Sequence, residues 1–182
     1  MKPINEQRLA WAITGSGHYL RECIDLINQL ENVDLFLTKA ADEILKQYGY
    51  KHNVGRVFLD KTASSVPVEF FYYGTYHTVV IAPATSNTVA KMVCGISDTL
   101  VTNVYAQAGK CRVPSIVFAC DTEPEIESEA PHENMVKVYP RRIDLENMQK
   151  LKTFEETIVA GDMQQLNAAI QTRLSCLRAS SS

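Results

Sequence analysis

Short apolar runs alternate with stretches of helical periodicity along most of this chain, and that alternation constrains the fold more than any other feature. Residues 9–13, 33–37, 78–82 and 114–119 form four short, mostly apolar runs. Runs of this length without strict alternation are typical of buried parallel strands. Residues 19–31 carry apolar side chains at helical spacing. The sequence therefore predicts one α/β domain over residues 1–182, built around a parallel sheet.

The other segments are less regular and give weaker expectations. Residues 50–70 show no clear pattern. Residues 66–73 are expected to be extended, at a sheet edge or in a loop, because Pro67 cannot donate a backbone hydrogen bond. The acidic residues 123–133, which contain two prolines, predict a surface loop. Helices are also predicted over residues 39–48, 88–95, 99–108, 144–154 and 161–176. A last strand is predicted over residues 135–139. The C-terminal region, about 144–178, is expected to be helical, with a frayed tail at 179–182.

Composition narrows the class of protein. The chain has 46% apolar residues, 21% charged residues and a net charge of −3, which is typical of a globular domain and argues against a nucleic-acid-binding protein. No apolar run approaches the roughly 20 residues of a membrane span. The odd number of cysteines, five, with no zinc-type spacing, predicts reduced thiols, a cytoplasmic location and no metal site.

The first predicted strand leads into Thr14-Gly-Ser-Gly-His18. Glycines allow close approach to an anion, and a helix start offers free N–H groups. The full dinucleotide motif is absent because Leu20 occupies the third glycine position, and Thr38 stands where a ribose-binding acid is expected. Two interpretations stay open: a tight strand–helix turn, or a phosphate site for a mononucleotide.

A second loop is more informative. Four small polar residues, Thr85-Ser-Asn-Thr88, follow the strand predicted at residues 78–82. Such residues cap helices, and they also surround phosphates and heterocycles. One cap needs one residue of this kind, so four in a row favour a binding loop.

The segment Ile81-Ala-Pro-Ala-Thr-Ser-Asn-Thr-Val-Ala-Lys91 resembles the signature of the homo-oligomeric flavin-containing cysteine decarboxylase superfamily. The resemblance extends to the Gly-Ser-Gly loop and to residues 33–41, and covers roughly residues 8–122. It implies a Rossmann-like three-layer αβα sandwich with a mostly parallel sheet. It also implies trimers, sometimes gathered into larger shells, with FMN bound between subunits.

The resemblance further implies which residues contact FMN. Carried over by position, the Gly-Ser-Gly loop would meet the phosphate, and the residues after the second and third predicted strands would also contact the cofactor. The cofactor-binding residues implied are Gly15, Ser16, Gly17, Thr38, Ala84, Thr85, Ser86, Asn87 and Thr88.

Within the superfamily, residues 11–18, 94–103 and 140–147 are most similar to archaeal-type flavoproteins and acceptor-dependent dihydromethanopterin reductases. This similarity implies hydride transfer from reduced FMN to a pterin, dihydromethanopterin, to give tetrahydromethanopterin, with an unidentified electron donor. An FMN protein that accepts electrons from ferredoxin is the alternative.

Two departures argue against decarboxylation, the third function considered. Phe70 falls where the decarboxylases carry a catalytic histidine, and Asp121-Thr122 replaces the end of their Pro-Ala-Met-Asn substrate loop. Asp121 and Thr122 are candidate substrate-binding residues, because an aspartate can form two hydrogen bonds to the amidine-like edge of a pterin. The sequence assigns no catalytic residue.

Overall fold

Eight strands and seven helices are present in the computed structural model, which describes residues 6–61, 65–130 and 134–180. The strands are β1 (Arg8–Ile13), β2 (Val33–Leu37), β3 (Arg56–Leu59), β4 (Tyr76–Ala84), β5 (Ser115–Ala119), β6 (Ile126–Ala130), β7 (Asn134–Val138) and β8 (Thr157–Ala160). The helices are α1 (Leu20–Asn28), α2 (Lys39–Tyr48), α3 (Ser65–Val68), α4 (Ser86–Val93), α5 (Leu100–Lys110), α6 (Arg142–Leu151) and α7 (Met163–Ser180).

Six of these strands form one parallel sheet in the order β3-β2-β1-β4-β5-β8. Strand β1 lies at the centre, with Ala12 opposite Phe36 of β2 on one side and Ile81 of β4 on the other. The order is that of the dinucleotide-binding fold, in which the chain runs outward from β1 and then returns to its other side. The predicted parallel α/β sheet is confirmed.

The two faces of the sheet are covered by different helices. Trp11 and Ile13 of β1 pack with the buried side chains of α1, α2 and α7, while Ala10 and Ala12 pack with those of α4, α5 and α6. Because successive side chains of a strand point to opposite faces, this division gives three layers. The predicted three-layer sandwich is also confirmed.

The single tryptophan of the chain lies at the centre of this core. Trp11 is completely buried, and its indole Nε1 donates a hydrogen bond of 2.7 Å to the carbonyl of Ala82. A buried indole needs such a partner, since its N–H would otherwise lose a hydrogen bond to water. The contact ties β1 to β4 two residues before β4 ends.

The two edge strands of the sheet were not predicted. Strand β3 lies within the segment that had no clear pattern, and β8 lies between the predicted C-terminal helices. Both are four residues long, and Val57, Leu59 and Ile158 are exposed on them. A short edge strand buries little apolar surface, so its sequence needs no continuous run of apolar residues. The central strands were predicted from such runs.

The prediction of an extended segment over residues 66–73 is wrong. The chain instead forms α3, followed by a 3-10 turn over Glu69–Phe71. Pro67 lies in the first turn of α3, where a missing N–H breaks no helical hydrogen bond. The proline is therefore compatible with helix here.

The prediction of a loop over residues 123–133 is also wrong in part. Strand β6 lies within it and pairs antiparallel with β7, Glu127 lying opposite Lys137; residues 131–133 are outside the described residues. The strand predicted at 135–139 corresponds to β7, which belongs to this hairpin and precedes β8. Among the described residues, no helix combines the length and apolarity needed to cross a membrane.

Candidate functional site

The chain changes faces of the sheet between its two central strands. Helix α1 follows β1 onto one face, and α4 follows β4 onto the other. The loops after two such neighbouring parallel strands diverge and leave a crevice at the carboxyl end of the sheet, where open α/β sheets bind ligands. Both polar loops selected from the sequence, residues 14–18 and 85–88, begin at this crevice.

Thr14 joins the two loops across the crevice. Its hydroxyl donates to the carbonyl of Pro83 at 2.9 Å and accepts from the backbone N–H of Thr85 at 2.8 Å. The residue is buried, so both bonds are shielded from water. Thr14 was absent from the predicted site, although a small hydroxyl residue directly after a strand was a usable signal.

The Gly-Ser-Gly loop is shaped first by packing. A Cβ atom added to Gly15 would lie 2.5 Å from Cβ of Ala40 in α2, and one added to Gly17 would lie 3.1 Å from the hydroxyl of Tyr48. Within the loop, the N–H of His18 donates to Oγ of Ser16 at 3.2 Å. Close packing against α2 therefore explains the glycine at position 15, and phosphate binding by the loop stays a prediction.

Thr38 also serves the backbone. Its hydroxyl oxygen accepts from the N–H of Ala41 at 3.1 Å and caps α2. Its own N–H donates to the carbonyl of Ile13 at 3.2 Å. The loop after β2 is thus held next to the end of β1, at the edge of the crevice.

The loop after β4 divides its four polar residues between two tasks. Thr85 caps α4 by accepting from the N–H of Thr88, and the hydroxyls of Thr85 and Thr88 lie 3.1 Å apart. Ser86 is half-buried and Asn87 is exposed. The loop therefore provides a helix cap, as composition alone allowed, together with two side chains that the cap does not use.

The loop after β5 is tied to both neighbours. The N–H of Cys120 donates to the carbonyl of Ala84 at 3.0 Å, and its thiol is hydrogen-bonded to Ser16. Burial raises the pKa of the Cys120 thiol to about 12, so the thiol is neutral. The next residue, Asp121, accepts a hydrogen bond from the hydroxyl of Ser86.

Three loops are consequently connected pairwise at the carboxyl end of the sheet. Sequence reasoning selected Ser86 and Asp121 for different ligands, and the structure brings them into direct contact. Thr122 lies farther on, half-buried, in a neighbouring cavity of about 340 Å³ that also involves His18 and Tyr19. A larger cavity, of about 570 Å³, lies at the opposite end of the sheet and contains none of the predicted site residues.

Arg141 adds a positive charge beside this region. Its guanidinium donates to both carboxylate oxygens of Asp144, at 2.9 and 2.7 Å. The hydrogen bonds and charge of Asp144, with a smaller contribution from Asp121, raise the pKa of Arg141. Residues 140–147 were noted for their resemblance only, and their proximity to Asp121 could not be inferred from sequence.

Phe70, at the position of the decarboxylase histidine, is a packing residue. Its ring lies 5.9 Å from that of Phe58, and the guanidinium of Arg56 lies 5.1 Å from its centre. A phenyl ring cannot transfer a proton. This position therefore provides no acid or base.

The groups around the crevice are mainly hydroxyls, backbone amides and a neutral thiol. Over residues 6–61, 65–130 and 134–180, no three His, Cys, Asp or Glu side chains gather as metal ligands would. Such groups bind through hydrogen bonds and are poor proton donors at neutral pH. The arrangement suits a heterocycle or a phosphate held between loops, whose redox chemistry is its own.

The profile of the Flavoprotein family matches residues 2–179. The chain belongs to this family. The match includes every strand of the main sheet and each loop of the crevice.

Two curated relatives come from methanogenic archaea. An uncharacterised protein of Methanocaldococcus jannaschii is 35% identical over 159 residues, which are 81% of this chain and 86% of that protein. A dihydromethanopterin reductase (acceptor) of Methanosarcina mazei is 36% identical over 143 residues, or 69% of this chain. The match spans only 60% of that reductase, which is the longer protein.

Solved structures show the same fold. DmrB of Burkholderia xenovorans in complex with FMN, described as a cubic protein cage for redox transfer, has a TM-score of 0.88 and 52% identity. The comparison covers 98% of this chain and 99% of DmrB. A phenylacrylic acid decarboxylase from Aquifex aeolicus, at 22% identity and a TM-score of 0.63, covers 94% of this chain and 97% of that one, and shares the fold.

Proposed function

We propose that this chain is an FMN-dependent oxidoreductase that reduces dihydromethanopterin to tetrahydromethanopterin. The observation that carries the proposal is the set of three connected loops at the β1–β4 crevice, in a chain 52% identical to FMN-bound DmrB. The reductase relatives indicate the pterin as substrate. When bound, FMN would supply the hydride for the carbon of the pterin C=N bond, and a proton from the solvent would complete the reduction at the nitrogen.

The residues of the crevice fit this cofactor. The first N–H groups of α4 have no partner within the helix, and they lie beside the hydroxyl of Ser86 in a loop held by Thr14. Gly15, Ser16 and Gly17 line the entry to α1, where a phosphate would meet the positive end of the helix dipole. In this proposal the chain binds and orients the flavin and keeps water from its reacting face.

The cofactor assignment has a direct test. Purified protein mixed with FMN should retain it through gel filtration and show flavin absorbance at one FMN per chain. Riboflavin, which lacks the phosphate, should bind more weakly because the helix starts would lose their anion. A protein that retains no FMN would overturn the proposed function.

The substrate assignment needs a separate measurement. Protein loaded with FMN and reduced without oxygen is mixed with dihydromethanopterin, and flavin absorbance is followed in a stopped-flow instrument. We expect reoxidation in a single exponential phase whose rate saturates with pterin concentration. Flavin that stays reduced would leave FMN binding intact and refute the pterin as substrate.

A second candidate is an FMN electron carrier that accepts electrons from ferredoxin. The observation in its favour is that the crevice loops consist mainly of groups that are poor proton donors at neutral pH, because electron transfer needs no proton donor. Fast reduction by ferredoxin, together with inertness toward pterins, would identify this function.

The assembly is also part of the proposal. We infer a homo-oligomer built from trimers, because DmrB forms a cubic cage and several large apolar side chains of this chain are exposed. Met135, Tyr139 and Ile143 are exposed by half or more at the hairpin and the start of α6. Light scattering should give a mass divisible by three chains, and a monomer at micromolar concentration would contradict this.

A further inference from the structure

The contact between Ser86 and Asp121 fixes the direction of one hydrogen bond in the crevice. A serine hydroxyl has one proton to donate and two lone pairs that accept. The Ser86 proton is donated to Oδ2 of Asp121. Toward any other partner, Ser86 can therefore only accept a hydrogen bond.

The surroundings hold this arrangement in place. Ser86 is the first residue of α4, directly after the cap formed by Thr85, and Asp121 follows β5, whose end is bonded to β4 through Cys120. Both side chains are half-buried. The guanidinium of Arg141 interacts electrostatically with Asp121.

We propose that Asp121 is a positioning residue that holds Ser86 as a hydrogen-bond acceptor toward bound FMN. This inference rests on the proposed function, since it requires FMN in the crevice. The reduced isoalloxazine ring carries N–H groups that the oxidised ring lacks. An acceptor fixed beside the ring therefore favours reduced FMN over oxidised FMN, and the hydrogen bonds around a flavin tune its electronics in this way.

The structure thus gives Asp121 a role different from the substrate contact predicted from sequence. Its charge alone would oppose reduction, because a carboxylate beside the ring repels added electrons. Acting through Ser86, it favours reduction. The two roles predict opposite signs for the same substitution.

The experiment measures the midpoint potential of bound FMN, together with the dissociation constant of oxidised FMN, in five variants and the wild type. Ser86→Ala and Asp121→Ala, which removes the acceptor of the Ser86 proton, should each lose about tenfold in preference for reduced FMN, a potential about 30 mV more negative for a two-electron couple. The double variant should shift no further than either single variant. Ser86→Thr keeps the hydroxyl and should retain the wild-type potential.

Asp98→Ala is the matched control. Asp98 is exposed and pairs with Lys91 of α4, so its substitution removes a carboxylate near the same helix without touching Ser86. A more positive potential in Asp121→Ala, or additive shifts in the double variant, would overturn the proposal. If Asp121→Ala fails to fold, an unchanged potential in Ser86→Ala refutes it alone. Loss of FMN binding by the wild type would instead refute the proposed function.

Discussion

The two ends of the parallel sheet are held together by different chemistry. At the amino end, Asp34 of β2 accepts from Arg8 of β1 at 2.7 Å and from the hydroxyl of Tyr76 of β4 at 2.8 Å, and Arg56 of β3 lies 3.3 Å from it. Four strands therefore meet at one completely buried carboxylate. At the carboxyl end, hydroxyls, a thiol, backbone groups and the half-buried carboxylate of Asp121 connect the loops.

This difference shows how one sheet separates stability from binding. A completely buried carboxylate that already accepts from two guanidinium groups and a phenol is not accessible to a ligand. Burial, and then the charge of Asp34, raise the pKa of Tyr76, so its hydroxyl stays a donor. At the carboxyl end, hydroxyl lone pairs and helix N–H groups stay available to a ligand, and the loops there are connected by weaker contacts than the strands at the amino end.

The sharpest test of this contrast is Asp34→Ala. Two half-buried guanidinium groups would lose their counter-charge and the buried hydroxyl of Tyr76 its acceptor, and we expect the free energy of unfolding to fall by about 3 kcal/mol. Denaturant unfolding at fixed protein concentration measures it. The volume-matched Asp34→Asn separates the charge from packing.

The matched control is Asp42→Ala, which breaks the exposed pair with Lys46 and should cost less than about 0.5 kcal/mol. Equal losses of unfolding free energy in Asp34→Ala and Asp42→Ala would show that the buried carboxylate stabilises the fold no more than an exposed one does. FMN affinity should be unchanged in any Asp34 variant that folds.

The next largest loss of stability is expected from a substitution at Gly15, where the Gly-Ser-Gly loop packs against α2. Gly15→Ala places a Cβ atom 2.5 Å from that of Ala40, and we expect a loss of about 2–3 kcal/mol and weaker FMN binding. Ala40→Gly in the same chain removes the second Cβ atom. The cost of Gly15→Ala should then largely disappear, and a cost that persists would show that another contact excludes the side chain.

Thr14→Val tests the connection between the two central loops. It removes the bonds to Pro83 and Thr85 while keeping the side-chain volume, and should cost about 1–2 kcal/mol because the N–H of Thr85 loses its partner. FMN titration should show weaker binding, since the loops would separate. Thr14→Ser keeps the hydroxyl, and a Ser variant as weak as the Val variant would argue against the hydrogen bonds as the cause.

The smallest effect concerns pH at the amino end. Burial, and then the charge of Arg173, lower the pKa of His77 from 6.5 to about 4. As pH falls below 6.5, the unfolded chain takes up a proton that the folded chain refuses until about pH 4, so stability decreases across that range. Between pH 7 and pH 5 we expect the free energy of unfolding to fall by about 1 kcal/mol, a value reduced to allow for the partial exposure of His77. His77→Gln should remove this part of the pH profile, and an identical profile would refute it.

The central strands were predictable because burial on both faces leaves apolar runs in the sequence. The edges were not, since β3 and β8 are short and half-exposed, and the hairpin of β6 and β7 depends on pairing between acidic and mixed segments. Asp34 shows the limit most clearly. It lies inside an apolar run, and its partners come from three other strands distant in sequence.

For the site, strand order was the missing information. Thr85 to Thr88 and the Gly-Ser-Gly loop were each selected because they follow a predicted strand, and the structure brings them together across the crevice. The sequence could not show which of these polar residues cap a helix and which are available to a ligand, because a hydroxyl group can do either. The contacts of Ser16 with Cys120 and of Ser86 with Asp121 depend on β5 lying next to β4.

Trp11 gives the molecule a built-in optical reporter. As the chain's single indole, buried and hydrogen-bonded to the strand that ends at the crevice, it emits from one defined environment. Flavins absorb where tryptophan emits, so occupancy of the crevice would quench this emission by energy transfer. Binding of the cofactor would quench the emission of Trp11 and its release would restore that emission. Unfolding of the central strands would change the environment of the indole, so all three processes can be followed in the unlabelled protein.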